Sequence, residues 1–218
     1  MVERIERFDR LAEIIVVDNG STYEPTLQWY ERLPHRIIRL DNLGHKAPWS
    51  EEVRRAIRTD LYVVTDPDLD IADAPNDTLI HLAQCLSDFP GLLKVGLGLT
   101  FDDVPKESPY YKHVHSWEAD FWKIPLEKGL VRLAPVDTTF ALQDRRFLDE
   151  YRICGGRTDR PYVARHLPWS IVDNSPEFQY YLDNANTSSS YISFLKKAQF
   201  KRSIASQLNT RFKSLFRI

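Results

Sequence analysis

Three carboxylates at alternate positions, Asp66, Asp68 and Asp70, close an apolar run of Tyr62-Val63-Val64-Thr65. Carboxylate oxygens are hard ligands that suit Mg²⁺ or Mn²⁺, and Pro67 fixes the backbone φ between the first two acids. A buried strand ending this way delivers its acids at the carboxyl edge of a sheet, where open α/β sheets bind ligands. The same pattern also describes a solvated acidic turn, so the neighbouring elements must decide between the two.

Two further strand-and-turn units precede it. Glu13 to Val17 is β-branched and runs into Asp18-Asn19-Gly20-Ser21-Thr22, a cluster of turn residues. Arg36 to Leu40 then runs into Asp41-Asn42-Leu43-Gly44-His45, with a helix expected from about Ser50 to Arg58. Ser50 followed by Glu51 and Glu52 suits a helix start, because a side-chain oxygen and two anions meet the exposed N–H groups there.

Val17-Asp18-Asn19-Gly20-Ser21-Thr22, Asn42-Leu43-Gly44-His45 and Asp66-Pro67-Asp68, in that order, resemble the GT-A-fold glycosyltransferases of the family-2 kind. The resemblance is specific across about residues 13–71. It implies an α/β fold: a GT-A-like, Rossmann-like mixed sheet flanked by helices. It implies a nucleotide-sugar donor, with Asp18 at the base or ribose and Asn42 and Gly44 along the donor. Asp66 and Asp68 would sit at a Mn²⁺ or Mg²⁺ ion that bridges the two phosphates. Family members begin with an additional strand and helix, of which Met1 to Leu11 resembles the remnant; a shortened donor pocket is the expectation that follows.

Pro135 to Leu142 and Tyr162 to Trp169 also look like bacterial members of this group. His166 lies where many GT-A enzymes supply a third metal or phosphate contact; it is either that ligand or a buried, hydrogen-bonded histidine. Arg165 beside it is a candidate to neutralise the diphosphate. Asp137 either takes the proton from an acceptor hydroxyl, or caps a local turn or hydrogen-bonds Thr139. Glu118 is the second catalytic candidate, better suited to holding acceptor hydroxyls. The Glu-Asp pair that marks the base in many inverting members has no counterpart here.

Glu118 lies in an aromatic-rich segment, Tyr110 to Trp122. Its rings either stack on a sugar or form the core face of a helix in which Trp117, Phe121 and Trp122 are buried. His113 and His115 splay apart on a helix and make poor joint ligands. Asp77 to Asp88 reads as an amphipathic helix with Leu79, Ile80, Leu82, Ala83 and Leu86 on its apolar face, stopped by Phe89-Pro90-Gly91. Leu92 to Phe101 reads as a strand in which Gly96 and Gly98 mark a bulge or a close approach of backbones.

The 218 residues, 43% hydrophobic and 28% charged, suit one α/β domain over 1–183. Residues 1–100 form its nucleotide-sugar half and 101–183 its acceptor half. Residues 184–218 are a polar linker and a basic amphipathic helix, without an acid from Tyr191 onward. That tail suits an anionic membrane carrying lipid-linked acceptors, or packs on its own domain or a second subunit. A net charge of −2 gives no general argument for nucleic-acid binding. Cys85 and Cys154 lack metal-binding spacing and read as reduced thiols, and the first ten residues lack the apolar core of a signal peptide. A cytoplasmic protein, peripheral at the membrane's inner face, is the expectation. Its partners would be a UDP-sugar and a saccharide acceptor. The competing expectations are a non-catalytic partner subunit or a nucleotidyltransferase, although the glycine-rich triphosphate loop of the latter is absent from this sequence.

Overall fold

The computed structural model describes residues 1–9, 12–126, 131–147, 154–170 and 175–184. In chain order they form α1 (Val2–Ile5), β1 (Ile15–Asn19), α2 (Glu24–Tyr30), β2 (Arg36–Leu40), α3 (Glu51–Ala56), β3 (Leu61–Val64), β4 (Leu69–Asp70) and α4 (Thr78–Asp88). Then follow β5 (Lys94–Gly96), β6 (Gly98–Thr100), α5 (Tyr111–Phe121), β7 (Val131–Pro135), β8 (Ala141–Asp144), β9 (Cys154–Thr158), β10 (Val163–His166) and α6 (Pro176–Asn184). The fold is mixed α/β. The polar linker beyond Asn184 and the basic tail lie outside the described residues.

The chain divides into two compact units that interleave along the sequence. Unit 1 comprises Met1–Val17, Pro34–Ile38 and Pro48–Val172; unit 2 comprises Asp18–Leu33, Arg39–Ala47 and Asp173–Ile218.

Unit 1 holds a five-stranded mixed sheet ordered β3-β8-β5-β9-β7 and a three-stranded sheet ordered β4-β10-β6. Side chains alternate between the faces of a strand, so the register assigns each residue to one face. Val95 pairs with Leu142 and with Gly156, and Leu142 pairs with Val63. Those residues share the face covered by α4, where Leu82 and Cys85 join Val95, Val131 and Leu142 in the core. Burying this face against the apolar side of α4 supplies the main driving force, at about 25 cal/mol per Å² of apolar surface removed from water. Ile80, expected on that side, is 45% exposed; it falls off the buried stripe of Thr78, Leu82 and Cys85.

The expected strand over Leu92 to Phe101 is two strands in two sheets. β5 ends at Gly96 in the five-stranded sheet, and β6 starts at Gly98 beside β10. Leu97, at the crossing, donates its N–H to the Thr139 carbonyl at 3.2 Å instead of to a sheet. Close approach explains Gly98, since a Cβ there would lie 2.3 Å from the Thr158 carbonyl oxygen. The apolar run interrupted by Pro135 is likewise two separated strands, β7 and β8, with the turn of Val136 to Phe140 between them.

α3 starts where expected, with the Ser50 hydroxyl accepting from the Val53 N–H at 3.4 Å. On α5, Val114 and Glu118 are buried while Trp117 is 57% exposed. Trp117 is therefore not a core residue, and His113 and Phe121, one turn away on either side, flank it along the helix surface. Among the described residues no helix is long and apolar enough to cross a membrane.

Candidate functional site

The acidic run after β3 is held by two distant segments of unit 1. Asp66 donates its backbone N–H to the Thr138 carbonyl at 2.9 Å and accepts a short hydrogen bond from the Thr138 hydroxyl. Thr138 belongs to the turn before β8, whose Phe140 is a non-glycine residue at φ 52°. Holding a bulky side chain there costs about 1–3 kcal/mol. Phe140 is 1% exposed and packs edge-on against Phe8 with ring centroids 5.9 Å apart, so core burial holds the turn and the turn presents Thr138.

The second segment is β10, whose antiparallel register against β4 sets Arg165 opposite Asp70 and His166 opposite Leu69. The Leu167 N–H donates to the Asp68 carbonyl at 3.0 Å. Strand pairing alone thus brings the His166 Nε2 to 3.6 Å from the Asp68 Oδ2. Asp68 Oδ1 and His166 Nδ1 are both solvent-sealed side-chain atoms with no hydrogen-bond partner.

These atoms fit a divalent cation in chemistry. Burial pushes the Asp66 carboxyl up to about 6, with the Thr138 bond opposing and the charges of Asp68 and Asp137 adding to the rise. Burial pushes the His166 imidazole below its ordinary value despite the pull of Asp68, which leaves it neutral and able to donate a lone pair. Among the described residues no group of three or more His, Cys, Asp or Glu side chains closes round a single point. An open pair is the usual protein share of a Mg²⁺ site, where water and substrate phosphates complete the shell.

The remaining predicted residues of unit 1 divide by how they are paired. Arg165 is committed to acids: it bonds Asp70 and lies 3.7 Å from Asp73 and 3.9 Å from Asp103. Glu118 is 3% exposed and accepts from the Arg157 Nη1 at 2.7 Å. Burial raises its carboxyl while the guanidinium holds it down. Arg157 in turn donates through Nε to the Pro135 carbonyl and lies over the Phe121 ring. Asp137 is exposed, makes no bond to Thr139, and acts electrostatically on Asp66, Lys94 and Arg157 alike.

Unit 2 carries the other predicted residues on two loops that are tied together. Asp18 is 3% exposed; its Oδ1 accepts from the Ser21 N–H at 2.9 Å and the Tyr30 hydroxyl at 3.4 Å, and its Oδ2 lies 3.9 Å from Arg39. Asn19 spans the gap to the second loop: its Oδ1 accepts from the Leu43 N–H at 2.8 Å and its Nδ2 donates to the Gly44 carbonyl at 3.0 Å. The Asn42 Oδ1 accepts from the Gly44 N–H at 3.1 Å, which closes the turn. Gly20 has φ 78°, and a Cβ on it would meet the Asn42 nitrogen at 3.0 Å, so both backbone and space require glycine. On the same unit Tyr180 of α6 bonds the Thr22 hydroxyl at 2.6 Å and packs on Tyr23.

Sequence reading passed over Asn19 and Thr138, the two residues that fix these loops. The signal for Asn19 was present in the turn Asp18-Asn19-Gly20, because Asn side chains readily bond backbone groups. Thr138 gave none, since its partner lies 72 residues away.

No family model matches the chain, and no curated protein matches it. Among solved structures it is similar to that of CMP:2-keto-3-deoxy-manno-octonic acid synthetase complexed with CTP. The identity is 13%, with 68% of this chain and 63% of that one covered and a TM-score of 0.37. The match thus spans less than two thirds of that protein, and a likeness of this size says nothing about function.

Proposed function

We propose that the protein is a metal-dependent glycosyltransferase that moves a sugar from a nucleotide diphosphate donor, a UDP-sugar foremost, to a hydroxyl of a surface glycan or lipid-linked saccharide. The observation that carries this reading is the pairing of β10 with β4, which sets the His166 Nε2 3.6 Å from the Asp68 Oδ2 and leaves Asp68 Oδ1 and His166 Nδ1 unbonded, with Asp66, held separately by Thr138, two residues before Asp68.

Asp66 and Asp68 would hold Mn²⁺ or Mg²⁺, with His166 alongside. When bound, the cation neutralises charge on the diphosphate leaving group. Thr138 orients the Asp66 carboxylate, and Phe140 orients Thr138. Asp137, exposed and within electrostatic reach of Asp66, accepts the proton of the acceptor hydroxyl as that oxygen bonds to the anomeric carbon and the carbon–phosphate oxygen bond breaks. Glu118, enclosed with Arg157, keeps that cation beside Asp137 and so acts as a positioning residue. Taken by itself, unit 2 is proposed to bind a nucleoside through the loop of Asp18 and the loop of Asn42 and Gly44.

The test is UDP release from a panel of UDP-sugars offered with saccharide acceptors and Mn²⁺. Manganese-dependent release, lost in Asp68→Ala, supports the transferase; no release from any donor favours a non-catalytic partner subunit.

A further inference from the structure

The face of the five-stranded sheet turned away from α4 carries an unusual pair. Register sets Lys94 opposite Gln143 on β8, and the pairing of Val95 with Gly156 sets it beside Gly155 on β9. Gly155 in turn faces Ala134 on β7. One row of this face therefore reads Gln143, Lys94, Gly155, Ala134. The next reads Ala141, Gly96, Arg157, Arg132. Gly155, Gly96 and Ala141 are small neighbours of Lys94, while Gln143 and then Tyr62 continue its own row. The Lys94 stem lies over Gly155, with its Cγ 3.1 Å from where a Cβ on that glycine would be.

Lys94 is 5% exposed and Gln143 8% exposed. Among the described residues neither side chain makes a hydrogen bond, and Lys94 has no ion pair within 4 Å. Neither nitrogen is among the solvent-sealed, unbonded atoms, so both keep a path to water. Asp137 is the charge that acts on Lys94, and it pulls against the burial that lowers the lysine's pKa. Burying most of a lysine costs free energy that water and the charge of Asp137 offset only in part, and the ammonium stays open to an anion from outside.

We propose that Lys94 and Gln143 form an anion subsite on the acceptor side of Asp137, which takes the carboxylate or phosphate group of an acidic acceptor. Lys94 supplies the charge and Gln143 a directed amide N–H, the pairing a single carboxylate or phosphate oxygen pair needs. Arg157 and Arg132, the other cations in these rows, are already bonded, the first to Glu118 and the Pro135 carbonyl and the second to Asp159 and the Trp122 carbonyl, which leaves Lys94 as the unbonded donor there among the described residues. The assignment of an acceptor rests on the transferase reading; the anion site itself does not.

The test uses the full chain in EDTA, so that phosphate cannot bind through a metal. Inorganic phosphate, D-glucuronate and, as neutral control, glucose are titrated separately into the native protein and into Lys94→Met, with urea denaturation of both. One of the anions should saturate the native chain while glucose does not. Lys94→Met should weaken that anion at least tenfold and unfold at an equal or higher urea midpoint. Saturation by glucuronate alone identifies a sugar carboxylate, and saturation by phosphate alone a phosphorylated acceptor. No anion binding, binding unchanged by Lys94→Met, or a lower urea midpoint with binding retained would overturn the proposal and make Lys94 structural. UDP binding with Mn²⁺ is read in a separate titration of the native chain, so failure of the donor reading gives a different result from failure of this one.

Discussion

Asp18, near the end of β1, and Asp66, just after β3, are both largely enclosed, yet they are built oppositely. Asp18 collects a backbone N–H, a tyrosine hydroxyl and a nearby guanidinium. Asp66 receives one hydroxyl and stands within reach of two other carboxylates. A carboxylate supplied with donors holds a loop in shape. The one starved of them and set among like charges is where the proposed cation site rests. Glu118, bonded to Arg157, belongs with Asp18; Asp68, with a sealed and unbonded oxygen, belongs with Asp66.

That contrast can be broken by substitution. The largest effect is expected at Asp137: Asp137→Asn should lower sugar transfer by about 10²–10⁴-fold, as expected for loss of a general base. UDP binding with Mn²⁺ should change less than threefold. Equal loss of binding and turnover would move Asp137 from proton acceptor to donor contact.

Glu118→Ala leaves the Arg157 guanidinium buried without its carboxylate, and should cost about 3–5 kcal/mol in urea denaturation. A cost below 1 kcal/mol would remove Glu118 from the structural class.

Asp66→Asn should act in the opposite direction on the metal-free protein. The folded-state pKa of about 6 lies above the ordinary value of 3.8, so the folded chain holds this proton more tightly than the unfolded chain does. The stabilisation from that proton is complete only well below pH 3.8 and is lost as pH rises to about 6. Asn cannot ionise, so at pH 7.5 the variant should be about 3 kcal/mol more stable than the native chain, with most of that gain gone at pH 4. Urea midpoints at the two pH values check both parts. Stabilisation that persists undiminished at pH 4 would place its origin elsewhere.

The smallest effect concerns the supplied region. Asn19→Ala removes two loop bonds and should cost about 1–2 kcal/mol, leaving Leu43 and Gly44 groups unbonded. Hydrogen exchange at the Leu43 amide should rise with it; an unchanged amide would mean that the loop is held by other contacts.

Much of this contrast was legible in local sequence. Alternation and turn residues located β1, β2 and β3, the Ser50 cap located the start of α3, and Asp66-Pro67-Asp68 stood out because three acids end an apolar run. Local pattern could not place His166 beside Asp68, because that follows from the pairing of β10 with β4 across about a hundred residues. It also missed the sheet change at Leu97: Lys94 to Thr100 is one extended segment locally, and only its partners β9 and β10 show two sheets. The Glu118–Arg157 pair was out of reach for the same reason. Glu118 read as an available carboxylate because its partner sits on a strand 39 residues away.

The central claim is that Asp66 and Asp68 take a divalent cation that holds a nucleotide diphosphate. Calorimetric titration of UDP into the native protein with Mn²⁺, with EDTA, and into Asp68→Ala with Mn²⁺ tests it most directly. The account predicts binding that needs the metal and weakens at least a hundredfold in Asp68→Ala. No binding to the native chain, or binding indifferent to EDTA and to Asp68→Ala, would contradict it.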